Sequence, residues 1–191
     1  MKENMEKEKA FFLAFLEKVK KEGRAEDTWD DPCGASFYMV GRVDWAYDLD
    51  CNCHVFYDGR EVFSQIFSQS RRFRAGQPPF DTRFDGFRSL ILRIRGFVGT
   101  MADLGLESTC GGHWDMTLWK AGNFSFVLEA DMNDVSLQEV SPSGRMLIVR
   151  RPHLGDVRKG AVDLMMGKKG LVGKSFHMLP DWLRADMTEA S

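Results

Sequence analysis

The chain has 191 residues, of which 43% are apolar and 28% charged, and its formal net charge is −2. This length predicts one domain, and this composition supplies a hydrophobic core and excludes general disorder. No apolar run approaches the roughly 20 residues that a bilayer-spanning helix needs, and the Lys/Glu-rich start lacks the residue order of a signal peptide. We therefore expect a soluble, intracellular globular protein that is not transmembrane.

The charged residues fall in blocks of alternating sign. Residues 27–58 and 101–140 each hold seven acidic residues against one basic residue, whereas 60–95 and 145–175 each hold eight basic residues and few acidic ones. These blocks either neutralise one another in space or form opposed faces suited to docking on a charged protein partner. The acidic interruptions do not favour a nucleic-acid interface, which typically has a continuous basic stripe.

The N-terminal segment has the spacing of an amphipathic helix. Apolar residues recur at three- and four-residue intervals over 3–22, and Gly23 is a natural stop. We predict an amphipathic helix within 1–23, followed by a polar linker over 24–34. The helix either packs on its own domain or docks on another protein. The docking alternative assigns three of its residues to a partner-binding surface: Phe11, Phe12 and Phe15.

From residue 35 the apolar residues alternate with polar ones, which is typical of strands. Turn signals such as Asp58-Gly59 and Ser141-Pro142-Ser143-Gly144 separate the candidate strands. These strands are Ser36–Val40, Cys53–Tyr57, Glu61–Phe67, Ser89–Arg95, His113–Trp119, Phe124–Ala130, Val135–Val140 and Arg145–Arg150. The pattern predicts an α+β protein with an antiparallel β-sandwich or jelly-roll-like core over 35–152.

Two further segments are assigned from composition. Residues 70–88 are rich in Arg and Phe and read as an ordered loop, since Pro78-Pro79 interrupt them. Residues 153–191 read as a basic C-terminal extension with short helices near 158–167 and 180–188. Arginine and phenylalanine side chains together suit a protein interface. The partner-binding residues predicted in the loop are Arg71, Arg72, Phe73, Arg74, Arg83 and Phe84.

Two groups of residues offer metal ligands. The segments Cys51-x-Cys53-His54 and Cys110-x-x-His113 supply soft ligands, and a zinc site would use Cys51, Cys53, Cys110 and His113. Oxygen ligands for calcium would come from Asp48 and Asp50. The alternatives are buried reduced thiols for the first group and a solvated turn for the second.

Two short stretches resemble known families. The stretch Tyr47-Asp48-Leu49-Asp50, with the turn Asp58-Gly59 after it, resembles the Asp-Leu-Asp strand of TerD-type tellurium-resistance domains. That resemblance implies a calcium-binding β-sandwich with Asp48 and Asp50 as ligands. The stretch from Phe84 to Gly96 is similar to a strand of the jelly-roll domain in complex I intermediate-associated assembly factors. The two resemblances imply different families, and both of these are β-sandwiches.

The function that these features favour is a non-catalytic accessory or scaffolding subunit. It would dock on a protein partner or a larger assembly through the N-terminal helix, the Arg/Phe loop and the basic C-terminal extension. One alternative is a metal-binding module for Ca or Zn. The other is an enzyme with a Cys–His site, for which the chain offers four cysteines and four histidines.

Overall fold

The computed structural model describes residues 2–43, 49–69, 81–109, 112–151 and 157–190. The chain divides into two compact units, Met1–Val98 and Gly99–Ser191. The described residues form five α-helices and two antiparallel sheets of four and five strands. The predicted α+β class is therefore confirmed.

The first unit is an antiparallel meander with one helix before it and one after it. Its elements in chain order are α1 (Lys2–Glu22), β1 (Arg24–Asp30), β2 (Ala35–Val43), β3 (Leu49–Tyr57), β4 (Arg60–Gln69) and the larger part of α2 (Asp81–Leu104). The strands lie in the order β1-β2-β3-β4. The β3–β4 turn has positive φ angles at Asp58 and Gly59, the conformation that an Asp-Gly hairpin favours, so the predicted turn is confirmed.

Helix α1 confirms the predicted amphipathic helix, and its apolar face lies in the core of its own unit. Phe12, Phe15 and Val19 are almost completely buried. The Phe12 ring stacks on Phe87 of α2 with the centroids 5.0 Å apart, and Phe87 meets Phe37 of β2 edge-on at 6.0 Å. The helix ends at Glu22, and the N–H of the following Gly23 donates to the Val19 carbonyl at 2.8 Å.

A glycine on β2 lets α1 approach the sheet closely. A Cβ atom at Gly41 would lie 2.5 Å from Cγ2 of Val19 and 2.9 Å from Cζ of Phe15. Both distances are too short for a real side chain. The absence of a side chain at this position therefore allows the helix to pack directly on the strand.

A buried ion cluster joins three elements of the first unit. Arg95 of α2 donates from Nε to Asp31 Oδ1 at 3.0 Å and from Nη2 to Asp31 Oδ2 at 2.6 Å. The same Nη2 donates to Oε1 of Glu8 on α1 at 2.8 Å. The Glu8 and Asp31 side chains are only 2% and 0% exposed. This Arg95 cluster holds both helices to the β1–β2 turn.

The predicted strand Ser89–Arg95 is wrong, because these residues lie within helix α2. The short alternation of Leu90, Leu92 and Ile94 indicates a strand, but Leu92 is 51% exposed while its two neighbours in that pattern are buried. A longer window has helical spacing: the buried residues are Phe84, Phe87, Leu90, Ile91, Ile94, Phe97, Val98, Met101 and Leu104. The predicted loop over 70–88 is likewise helical from Asp81 onward, and 70–80 lie outside the described residues.

The polar segment 24–34 is predicted to be a linker, but its first seven residues form strand β1. Only Ala25 of this strand is fully buried. The strand pairs along its whole length with β2, from Arg24 opposite Arg42 to Asp30 opposite Ser36. Backbone pairing at a sheet edge needs no apolar side chains, so the polar composition concealed a strand.

The second unit is a five-stranded antiparallel sheet followed by short helices. Its elements are β5 (Glu107–Ser108), β6 (Trp114–Ala121), β7 (Phe124–Ala130), β8 (Val135–Ser141), β9 (Gly144–Arg151), α3 (Val157–Gly167), α4 (Lys169–Val172), a 3-10 helix (Gly173–Met178) and α5 (Asp181–Glu189). The strands follow one another in chain order across the sheet. Arg158 of α3 donates two hydrogen bonds to the Asp186 carboxylate of α5, at 2.9 and 2.8 Å. Helices α3 and α5 confirm the two predicted C-terminal helices.

The described strands close neither sheet into a barrel, and the stacking of the two sheets as a sandwich or jelly roll stays a prediction. The division into segments 1–23, 24–34, 35–152 and 153–191 also stays a prediction. Among the helices that the structure describes, none combines the length and the apolar character that crossing a membrane requires.

Candidate docking surface

Strand β9 forms one edge of the second sheet. It pairs with β8 on one side, from Ser141 opposite Gly144 to Val135 opposite Arg151, and no described strand pairs with its other side. An edge strand turns the N–H and C=O groups of alternate residues away from the sheet, where another strand can bind them. We call Gly144–Arg151 the β9 edge.

Large apolar side chains are exposed on the β9 edge. Met146 is 57% exposed and Leu147 is 49% exposed. In the sequence these residues begin the run Met146-Leu147-Ile148-Val149, which has no charged residue and no proline. Proteins commonly protect edge strands with charges or proline within the strand. Here the charges lie only at the ends of the run, so its centre is open to a partner.

Two local features shape the β9 edge: the tight turn between β8 and β9, and a bulge in the pairing of these two strands. The turn Pro142-Ser143 connects β8 to β9 through two residues, and Pro142 prevents β8 from continuing as a strand. The pairing shifts register between Leu137 and Gln138, which leaves Ile148 without a residue directly opposite. A bulge of this kind places Arg145 and Arg150 on the same face of the sheet, because their partners on β8, Val140 and Ser136, are four residues apart.

Carboxylates of the same sheet hold the two arginines. Arg145 forms an ion pair with Glu129, which also accepts a hydrogen bond from Gln138. Arg150 Nε lies 3.1 Å from Oδ2 of Asp134. The guanidinium side chains nevertheless remain 54% and 65% exposed. Exposed ion pairs of this type contribute about 0–1 kcal/mol, so these contacts leave the arginines able to meet a further carboxylate.

A polar cavity of about 180 Å³ opens beside Arg150. Its lining includes His113, Glu129, Asp131 and Asp134. Asp131 Oδ1 accepts hydrogen bonds from the N–H groups of Asn133 and Asp134 at 2.6 and 2.9 Å, and the other two carboxylates bind the arginines. The carboxylates therefore already have partners within the chain.

The predicted metal ligands are not brought together in the described residues. Cys51 and Cys53 belong to the first unit and His113 to the second, while Asp48 and Cys110 lie outside the described residues. Within the described parts of the chain there is no group of three or more His, Cys, Asp or Glu side chains that could hold a metal ion. Metal binding therefore stays a prediction.

Asp50 lies on the solvent-facing side of the first sheet, beside positive charge. Its Oδ2 is 3.7 Å from Nη2 of Arg42, and both residues line a shallow cavity of about 260 Å³ together with Arg24 and Asn52. A calcium ion at Asp50 would have to compete with these two guanidinium groups. The other predicted calcium ligand, Asp48, lies outside the described residues.

Other acidic groups on this face are also paired. Glu26 accepts a hydrogen bond from the Tyr38 hydroxyl at 2.6 Å and another from Arg24 at 2.8 Å. The Tyr38 hydrogen bond, followed by that of Arg24, holds the pKa of Glu26 below its ordinary value. Further along the face, Nδ1 of His54 lies 3.0 Å from Oε1 of Glu61. The face is a chain of paired polar groups.

The thiols of Cys51 and Cys53 face the core on the same side of β3, because alternate residues of a strand share a face. Burial, with a contribution from the nearby Cys51, raises the pKa of Cys53 to about 12. Burial and the hydrogen bond with Asp31 raise the pKa of Cys33 to about 11. Because the thiolate is the nucleophile, neither residue is activated for a Cys–His reaction.

We expect iodoacetamide to label Cys33 and Cys53 slowly in the folded protein at pH 7.5. The Cys33 rate should rise about tenfold per pH unit until the pH approaches 11, because the thiolate fraction rises in that way. Mass spectrometry after timed labelling measures both rates, with protein unfolded in urea as the control. Rapid labelling of either residue at neutral pH would contradict these environments and revive the enzyme alternative.

The predicted partner-binding phenylalanines contribute to the core. Phe12, Phe15 and Phe84 are buried, and Phe11 is half-buried with its ring 5.5 Å from that of Trp29. These side chains are therefore occupied within the first unit rather than free to dock. The remaining predicted residues of the loop, Arg71, Arg72, Phe73 and Arg74, lie outside the described residues, as does the Arg83 side chain.

The sequence pattern predicts a strand at Arg145–Arg150 without indicating a role for it. One feature of the sequence could indicate a docking role for this strand: a four-residue apolar run with arginines on both sides lies in the last of the predicted strands. The last strand of a meander lies at an edge. Among the described strands, none covers its apolar run from that side.

Comparisons of the chain with protein-family models, with curated proteins and with solved structures found no match.

Proposed function

We propose that the chain is a non-catalytic accessory subunit that docks on a protein partner through the β9 edge. The observation that carries this proposal is the pair of exposed apolar side chains, Met146 and Leu147, on an edge strand with open backbone groups. Strand addition to such an edge is a common mode of protein recognition, in which main-chain hydrogen bonds give affinity and side chains give specificity.

The raised pKa values of Cys33 and Cys53 argue against an activated thiolate at these two positions. The burial of Phe12 and Phe15 moves the proposed docking surface away from α1, where the sequence pattern had suggested it. Arginines flank the apolar run of the β9 edge, which precedes the predicted basic extension over 153–191. The kind of partner is unchanged from the sequence prediction, whereas the surface is different.

A photo-crosslinking experiment tests this proposal. Leu147 is replaced with p-benzoylphenylalanine in the full chain, produced in the cells that naturally make it. The matched control carries the same group in place of Leu92 on α2, since these two leucines have similar exposures of 49% and 51%. We expect irradiation to give an adduct of one defined mass from position 147 and none from position 92.

Substitution within the edge separates specific docking from random capture. Adding Met146→Lys to the position-147 probe should remove the adduct, because it places a charge within the apolar run, directly beside the crosslinking residue. Sequencing of the crosslinked peptide should identify one partner segment. An absence of adducts from position 147, or equal adducts from both positions, would refute the proposed function.

A further inference from the structure

We infer that the segment docking on the β9 edge is an acidic extended strand of another protein, with two carboxylates four residues apart and an apolar residue midway between them. This inference rests on the proposed function and adds the chemistry of the partner. It is carried by the arrangement of Arg145, Leu147 and Arg150 on one face of the strand.

A second copy of the chain fits this edge poorly. The antiparallel self-pairing that is centred on the apolar run, with like faces together, places Arg145 of one copy opposite Arg150 of the other. By symmetry the same clash occurs at both ends of the pairing. Like charges directly opposite one another destabilise a strand pair, so the charges favour a different protein over a second copy.

The bulge fixes the spacing that a partner needs. Although Arg145 and Arg150 are five residues apart, their neighbours on β8 are Val140 and Ser136, which are four residues apart. A regular strand on the outer side would meet the arginines with the same four-residue spacing if it follows the register of β8. Its middle residue would then lie opposite Leu147, on the same face as the two arginines.

The exposed parts of this edge match such a strand in both charge and hydrophobicity. The arginine side chains are more than half exposed and Leu147 is about half exposed. Two carboxylates would meet the guanidinium groups, and an apolar residue would cover Leu147. The open backbone groups of β9 would supply the main-chain hydrogen bonds.

The probe for this inference is a synthetic peptide, Thr-Glu-Thr-Val-Thr-Glu-Thr, titrated into the isotope-labelled full chain up to millimolar concentration. We expect NMR shift changes confined to 144–151 and to the facing parts of β8. A control peptide with Lys in place of both Glu should bind about tenfold more weakly, since two attractive cross-strand pairs become repulsive. A second control, N-methylated at alternate residues, should not bind, because it cannot form the main-chain ladder.

A double variant, Arg145→Gln with Arg150→Gln, should bind the Glu and Lys peptides equally. Arg42→Gln, which removes an exposed arginine of the first unit, should keep the preference. Absence of binding by the Glu peptide, or equal binding of both peptides by the unmodified chain, overturns the inference. A dimer whose β9 signals change with protein concentration also overturns it, in favour of a second copy. If the peptide tests fail but position 147 still crosslinks one partner, only the inferred chemistry of the partner is wrong. If position 147 gives no adduct, the proposed function is wrong as well.

Discussion

Replacing Arg95 with leucine should lower the free energy of unfolding of the first unit by about 3–5 kcal/mol. The substitution leaves the carboxylates of Glu8 and Asp31 buried, with side-chain exposures of 2% and 0%, and removes the guanidinium that binds both. Urea unfolding followed by circular dichroism measures the loss. The control is Arg93→Leu on the same helix, where an exposed guanidinium lies 5.0 Å from the centre of the Phe63 ring and a loss of no more than about 1 kcal/mol is expected.

The effect of Arg95→Leu should depend on pH. Burial opposes ionisation of Asp31, but the hydrogen bonds from Arg95, Cys33 and Trp29 together outweigh it, so the pKa lies below the ordinary value of 3.8. In the unmodified protein this stabilisation is complete above about pH 4 and is lost as the pH falls through the folded-state pKa. Without Arg95 the buried Asp31 carboxyl should instead have a raised pKa.

The difference in unfolding free energy between the two proteins should therefore be larger at pH 7 than at pH 4. At the lower pH the Asp31 carboxyl of the variant is protonated, and its burial costs less. Unfolding curves at both pH values check this. An equal loss at pH 4 and pH 7 would show that Arg95 stabilises the unit by packing rather than through its charge.

The second large effect is expected from Phe12→Ala on α1. Phe12 is completely buried and stacks on Phe87 at a centroid distance of 5.0 Å, and removal of a buried phenylalanine typically costs about 3–5 kcal/mol. The control Phe11→Ala changes the same residue type at a half-buried position and should cost less. Urea midpoints of the two variants, measured in parallel, give the comparison.

Removal of residues 1–22 should destabilise the first unit more than Phe12→Ala does. The deletion takes away Phe12, Phe15, Leu16 and Val19, all buried in the first unit, so β2 and β3 should lose their hydrogen-exchange protection. A truncated chain that keeps protected amides in both strands, and loses only its association with a partner, would contradict this. That outcome would support the docking helix that the sequence pattern had suggested.

Local patterns predicted the elements whose signals lie within a few residues. The three- and four-residue spacing of α1 and the Asp58-Gly59 turn are examples of such signals. The sequence pattern does not predict helix α2, because the residues from Leu92 to Arg95 alternate as in a strand, while the helical spacing is visible only over the whole length of the helix. Strand β1 was missed because an edge strand with one buried residue has almost no hydrophobic signal.

The candidate site depended on longer-range information. The side on which Cys51 and Cys53 lie follows from strand geometry, but the sequence did not show that His113 belongs to a different compact unit. The spacing of α1 predicted an apolar face without indicating what would cover it. The edge position of β9 follows from strand order, and the shared face of Arg145 and Arg150 follows from a bulge that leaves no clear signal in the sequence.

The central claim is that the folded chain joins a larger assembly through the β9 edge. The most direct test compares native complex sizes by gel filtration of extracts from the cells that naturally make the protein. The unmodified chain and the control Leu92→Lys should elute within a complex, whereas Met146→Lys combined with Leu147→Lys should elute at the mass of the single chain with an unchanged urea midpoint. Equal elution of all three proteins would contradict the claim.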